Sequence, residues 1–115
     1  MSEVAIVGMG AVFPGARDAA AFWHNIRSGV DAITEVPPDR WDPDVYYRPG
    51  ETGEDRFYCR RGGFIDDLAE FDPGPFGIMP AAVPGIEPDQ LMMLRAAAEA
   101  LADAGPLGDT EHVGV

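Results

Sequence analysis

Few residues in this chain combine the right chemistry with the right spacing to make a site. Gly8-Met9-Gly10 follows an apolar run and invites a dinucleotide-binding reading, in which glycines let backbone approach a pyrophosphate. That fingerprint needs a third glycine three residues further on, where this chain has Phe13. Its acidic partner should close a second strand, whereas Asp31 follows a predicted helix. A strand-to-loop turn that uses glycine's backbone freedom is the simpler account. Cys59 is flanked by Arg60 and Arg61, cations that could lower a thiol pKa and raise its reactivity. No histidine lies near it, and a small, partly buried filler between aromatics is the expectation. His24 and His112 have no partner at metal-ligand spacing and read as solvated or structural.

Carboxylates cluster at Asp66-Asp67 and from Glu51 to Asp55. General acid–base work would require one of them buried with a shifted pKa; solvated loop charge is the ordinary explanation. Arg40, Arg48, Arg60 and Arg61 surround an aromatic stretch, where ion pairs with nearby aspartates are expected. Met79, Met92 and Met93 read as core filler.

Bulk properties remove several function classes. The net charge is −12, and all eight basic residues are arginines. Such a surface repels phosphate backbones and offers no polybasic patch to anionic lipid. A single cysteine makes no disulfide framework and no Cys-based metal site. The opening MSEVAIVG lacks the basic and apolar regions of a secretory signal, and no apolar run approaches a membrane span. A cytoplasmic protein, one domain or part of one, is expected. Its 14 glycines and 11 prolines predict long irregular connections between few regular elements.

These elements must position whatever chemistry exists. Val4 to Val7 reads as a strand buried on both faces of a mostly parallel sheet. After a turn at Phe13-Pro14-Gly15, Asp18 caps a predicted helix running to about Ser28, with Gly29 at C′. Ala21, Phe22, Ile26 and Trp23 supply its apolar face. Ala32 to Val36 predicts a short extended piece ended by Pro37-Pro38. From Pro37 to Arg61 the rings of Trp41, Tyr46, Tyr47, Phe57 and Tyr58 predict an excursion packed onto a neighbouring surface. Gly62-Gly63-Phe64-Ile65 predicts a turn into a short strand, and Asp66 to Phe71 and Pro73 to Gly77 one helical turn each. Ile86 to Ala104 is the clearest helix, with Pro88 at its first position, Leu91, Leu94, Ala98 and Leu101 on one face, and Gly105-Pro106 as its stop. Met92, Met93 and the alanines widen that face, predicting burial against several neighbours. His112 to Val115 predicts another apolar run.

In order, VGMG, FPG, FW, PPDRWDP, GGFID, FD…FG and EALADAG resemble the amino-terminal signature of the β-ketoacyl synthases, from Val4 to Val115. The variants YCRRGGFID, FGIMP and EPDQL look closer to polyunsaturated fatty acid synthases and similar iterative polyketide synthases than to modular enzymes, which usually read FGISP and DPQQR. Met79 and Glu87 carry that departure. The resemblance implies an α/β class, the N-terminal portion of a thiolase-like (α/β/α/β/α) fold, and a usually homodimeric parent. It implies decarboxylative Claisen condensation of malonyl and acyl thioesters carried on the phosphopantetheine of an acyl carrier protein. The nucleophilic cysteine and both catalytic histidines are expected beyond Val115. Residues 1–115 would therefore be the N-terminal part of a synthase domain, truncated before the nucleophile, with no catalytic, cofactor-binding or metal-binding residue. The arginines around the excursion could dock the acidic carrier protein or its pantetheine phosphate. A truncated interaction module partnering a synthase subunit, and a nucleotide-binding α/β domain, are the competing expectations.

Overall fold

The computed structural model describes residues 3–108 and Gly114. His112 and most of the predicted final run lie outside the described residues. The first backbone-hydrogen-bonded feature among the described residues is a tight turn in which Phe13 and Ala16 exchange both backbone hydrogen bonds, at 2.9 and 2.8 Å. Pro14 presets its first corner and Gly15, at φ 70°, takes the left-handed second corner. Helix α1 spans Ala19–Ser28. Asp18 caps it by accepting from the Ala21 N–H at 2.7 Å, and Gly29 closes it in the left-handed conformation. Phe22, on its inner face, stacks on Phe13 at 4.1 Å between centroids, and Asn25 donates to the Gly15 carbonyl at 2.8 Å. Ile26 and Trp23, expected on the covered face, are exposed.

Strand β1 (Ile33–Glu35) pairs antiparallel with β2 (Arg61–Gly63), in the register Ile33–Gly63, Thr34–Gly62 and Glu35–Arg61. Asp31 starts β1 by accepting from the Ile33 N–H at 2.9 Å. The two glycines after Arg61 are thus ladder residues rather than the predicted turn. Gly63 is required there because a β-carbon would lie 2.7 Å from the Pro14 ring, so the strand can pass close beneath the first turn.

The excursion between the strands carries a short helix α2, Pro43–Tyr46, capped by Asp42. Phe57 returns to it, its N–H donating to the Tyr46 carbonyl while Arg48 N–H donates to Phe57, each at 3.0 Å. Its ring meets Trp41 at 4.8 Å and Tyr46 at 6.4 Å. The expected aromatic packing is present for these rings, whereas Tyr58 is 84% exposed. The two predicted helical turns are 3₁₀ turns at Asp66–Leu68 and Gly74–Phe76, the second bringing Phe76 onto Phe71 at 5.1 Å. A third, Pro80–Gly85, has no counterpart in the sequence-based assignment. Helix α3, Pro88–Ala104, ends as expected and begins at the proline expected in its first turn, two residues after the Ile86 start of the predicted range.

The segment before Phe13 departs most from expectation. Val4 to Val7 is not a strand, and Val4 and Ile6 are 93% and 86% exposed. An apolar run becomes a strand only where another chain segment satisfies its N–H and C=O groups, and no described residue does so. Among the described residues the buried apolar side chains are Ala16, Val36 and Leu91. Met79 and Met93, expected in the core, are exposed, as are Leu94 and Leu101. The Cα radius of gyration is 18.7 Å, where a closed domain of this length would have about 13 Å. Each element is locally well formed, while most apolar side chains of the described residues stay exposed.

Candidate functional site

The glycine pair has a packing role. After Val7 the extended backbone crosses α3 antiparallel to it. A β-carbon at Gly8 would overlap the Ala100 carbonyl oxygen and lie 2.7 Å from the Ala104 nitrogen. One at Gly10 would overlap the Ala96 carbonyl oxygen and lie 2.7 Å from the Ala100 nitrogen. Two extended residues advance roughly 6.6 Å and four helical residues roughly 6 Å, so Gly8 and Gly10 match the Ala96, Ala100, Ala104 row step for step. Neither has a positive φ, which corrects the expectation of a turn needing backbone freedom: steric room is what the glycines provide. The Met9 N–H between them donates to Asp103 Oδ2 at 2.9 Å. The dinucleotide reading fails here, because α3 fills the space a pyrophosphate would need and Phe13 is held against Phe22.

Arg95, which the sequence reading did not single out, makes four side-chain hydrogen bonds. From α3 its guanidinium donates to the carbonyls of Leu68 (2.6 Å), Glu70 (3.2 Å) and Arg17 (3.2 Å), and to Glu99 Oε1 at 3.1 Å. It gathers three chain segments that share no sheet. The available signal was an arginine four residues before a glutamate on an alanine-rich helix face.

The other arginines are mostly engaged. Arg40 is ion-paired with Asp66, with its Nε 3.2 Å from Oδ1, and lies over the Phe64 ring at 5.9 Å. The hydrogen bond and charge of Asp66 raise the Arg40 pKa above its ordinary value. Arg60 meets Glu35 at 2.9 Å and covers the Tyr47 ring at 5.2 Å, and Arg61 reaches the same carboxylate at 3.9 Å. Internal pairing is therefore the rule here, with Glu35 taking two of the places expected of aspartates. Arg48 instead donates to the Tyr47 carbonyl at 2.8 Å.

Cys59 is exposed, not the partly buried filler expected, and its thiol donates to the Arg61 carbonyl at 3.2 Å. The β1–β2 pairing holds its backbone at the rim and leaves its side chain outside. His24 is exposed, 3.5 Å from the Ser28 hydroxyl. Glu51 pairs with Arg56 at 3.3 Å in an exposed loop. An apolar cleft of about 620 Å³ lies between Phe64 and Ile65 on one side and Pro88, Met92 and Met93 on the other. Among the described residues, no cluster of His, Cys, Asp or Glu could hold a metal ion. No described helix is long and apolar enough to cross a membrane.

The arrangement among the described residues is a two-stranded ladder, two longer helices and irregular connections, with the apolar run Val4–Val7 exposed. The comparisons identify the family. The profile of the family described as "Beta-ketoacyl synthase, N-terminal domain" matches residues 1–115, and the chain belongs to that family. It is 45% identical over 102 residues to polyketide synthase PksN of Bacillus subtilis (strain 168), covering 89% of this chain and 2% of that protein. It is 43% identical over 105 residues to polyketide synthase ThaQ of Burkholderia thailandensis, covering 89% and 5%. Among solved structures it is similar to the oxazolomycin ketosynthase domain OzmH KS7 of Streptomyces albus JA3453. The TM-score is 0.79 at 38% identity, covering 90% of this chain and 18% of that one. The ketosynthase from module 6 of the bacillaene synthase of Bacillus subtilis 168 gives a TM-score of 0.71 at 35% identity, covering 84% and 16%. The chain thus spans under a fifth of either solved ketosynthase chain and a few per cent of these curated relatives. Its fold is the N-terminal portion of the thiolase-like α/β fold.

Proposed function

We propose that residues 1–115 form the N-terminal part of a ketosynthase domain that extends carrier-protein-bound acyl chains by decarboxylative Claisen condensation with a malonyl thioester. The segment stands before the nucleophile, so it holds none of the catalytic residues and is inactive alone. Its own contribution is positional: α3, the glycine crossing and the Arg95 clasp fix one side of the sheet from which the parent's active site is built. The observation that carries this reading is the agreement of backbone trace with the two ketosynthases at 35–38% identity. The parent is read as a cytosolic homodimer whose partners are an acyl carrier protein, with its phosphopantetheine-bound substrates, and the other synthase domains. Polyketide assembly is favoured because PksN and ThaQ are polyketide synthases; the FGIMP and YCRRGGFID variants look closer to polyunsaturated fatty acid synthases and similar iterative polyketide synthases, and the reduction state of the product separates the fatty acid from the polyketide reading.

The test is a condensation assay with malonyl and acyl carrier-protein thioesters. The 115-residue chain is expected to give no ketoacyl product, and product above the enzyme-free rate would overturn the assignment.

A further inference from the structure

The ladder that closes the aromatic excursion is short, and its second strand repeats itself. β2 and the residue before it read Arg60-Arg61-Gly62-Gly63, two arginines and then two glycines. Glycine-rich strands hold their register weakly, because register is set by which side chains each face accepts. Three residue pairs join β1 to β2, and two side-chain requirements bear on them. The residue opposite Ile33 must lack a β-carbon, since one at Gly63 would lie 2.7 Å from the Pro14 ring. The residue opposite Glu35 is Arg61, 3.9 Å from its carboxylate, while Arg60 already reaches the same group at 2.9 Å.

A one-residue slip meets both requirements again, in one direction only. With Gly62 opposite Ile33, Arg61 faces Thr34 and Arg60 faces Glu35. A glycine still passes Pro14, and an arginine still meets the carboxylate. The reverse slip sets Phe64 opposite Ile33 and drives its side chain into Pro14. The permitted slip turns every β2 side chain to the other face and draws the excursion along by one residue, about 3.4 Å. Residues 50–56 form an exposed loop that can take up this step without disturbing a buried group. What holds the observed register lies outside the ladder. The Phe64 ring sits under Arg40, itself ion-paired with Asp66, and the slip would turn that ring away. An exposed ion pair is a weak restraint.

We propose that the β1–β2 ladder is a two-register device. The excursion from Pro37 to Arg61 shifts by one residue between the observed pairing and the pairing Ile33–Gly62, Thr34–Arg61, Glu35–Arg60, with Arg40 as the catch. The inference rests on the ladder of this chain and is independent of the enzymatic assignment. Cross-linking tests it in the 115-residue chain carrying Cys59→Ser. Thr34 and Arg61 point to opposite faces in the observed register and share a face only after the slip. Thr34→Cys with Arg61→Cys is expected to form a disulfide in a glutathione buffer about tenfold faster than Glu35→Cys with Gly62→Cys, a pair that only the obstructed slip would align. Adding Gly63→Ala, which blocks the observed register, or Arg40→Ala, which releases the catch, should accelerate the first pair about threefold. Gly62→Ala, which blocks the slipped register, should slow it by about as much. Equal rates for the two pairs, or no disulfide in either, overturns the proposal. So does a Thr34–Arg61 rate left unmoved by any one of the three added substitutions.

Discussion

Arg95 shows how a single residue can replace a sheet as an organiser. A lysine lacks the planar fork that lets Arg95 reach Leu68 and Glu70 on one segment and Arg17 on another at once. Arg95→Ala is expected to speed hydrogen exchange through residues 66–77 at least tenfold, equivalent to about 1.4 kcal/mol, and Arg95→Lys should not restore it. Unchanged exchange in the alanine variant would remove the clasp from the account. Gly10→Ala drives a β-carbon into the α3 backbone, an overpacking that costs about 1–3 kcal/mol; the Met9 amide should then lose its protection, as it should in Asp103→Leu. Arg40 contributes no pH step near neutrality. Its raised pKa gives a contribution present throughout the range below its ordinary value, lost only in strong alkali. Cys59, exposed and remote from any base in sequence, should react with a disulfide reagent in the native chain, and Cys59→Ser should leave condensation by a ketosynthase that carries residues 1–115 unchanged.

The elements form where their signals are local. α1 carries its own start and stop, so Asp18→Ala should cost about 1 kcal/mol by loss of the cap, read as reduced helicity by circular dichroism. The same locality explains what the sequence made legible. The Pro-Gly turn, both long helices and the extended piece at Ile33–Glu35 depend on residues within a few positions of one another. Val4–Val7 does not: its apolar pattern states that partners are needed without supplying them, so a buried strand was expected and an open segment is found. Gly62-Gly63 reads as a turn because the reason for Gly63, its close passage beneath Pro14, is a long-range contact. The Ala96, Ala100, Ala104 row could be seen as small residues, but its match to the glycine pair appears only when the two segments cross. Likewise the candidate site was legible as a family and not as a constellation, since Arg95 reads as one more surface arginine until its carbonyl partners are seen.

At the scale of the whole molecule, the described residues bury only Ala16, Val36 and Leu91 among their apolar side chains. Heating the isolated chain should give a broad, low-enthalpy transition rather than a cooperative one, because few apolar contacts are shared between elements. A sharp calorimetric peak from a monomer would contradict this. The most direct measurement replaces the matching N-terminal region of a polyketide-synthase ketosynthase with residues 1–115 and assays condensation. The account predicts a folded dimer whose kcat/KM stays within about tenfold of the parent, a difference of no more than about 1.4 kcal/mol in transition-state stabilisation. A folded, dimeric chimera that forms no ketoacyl product would contradict it.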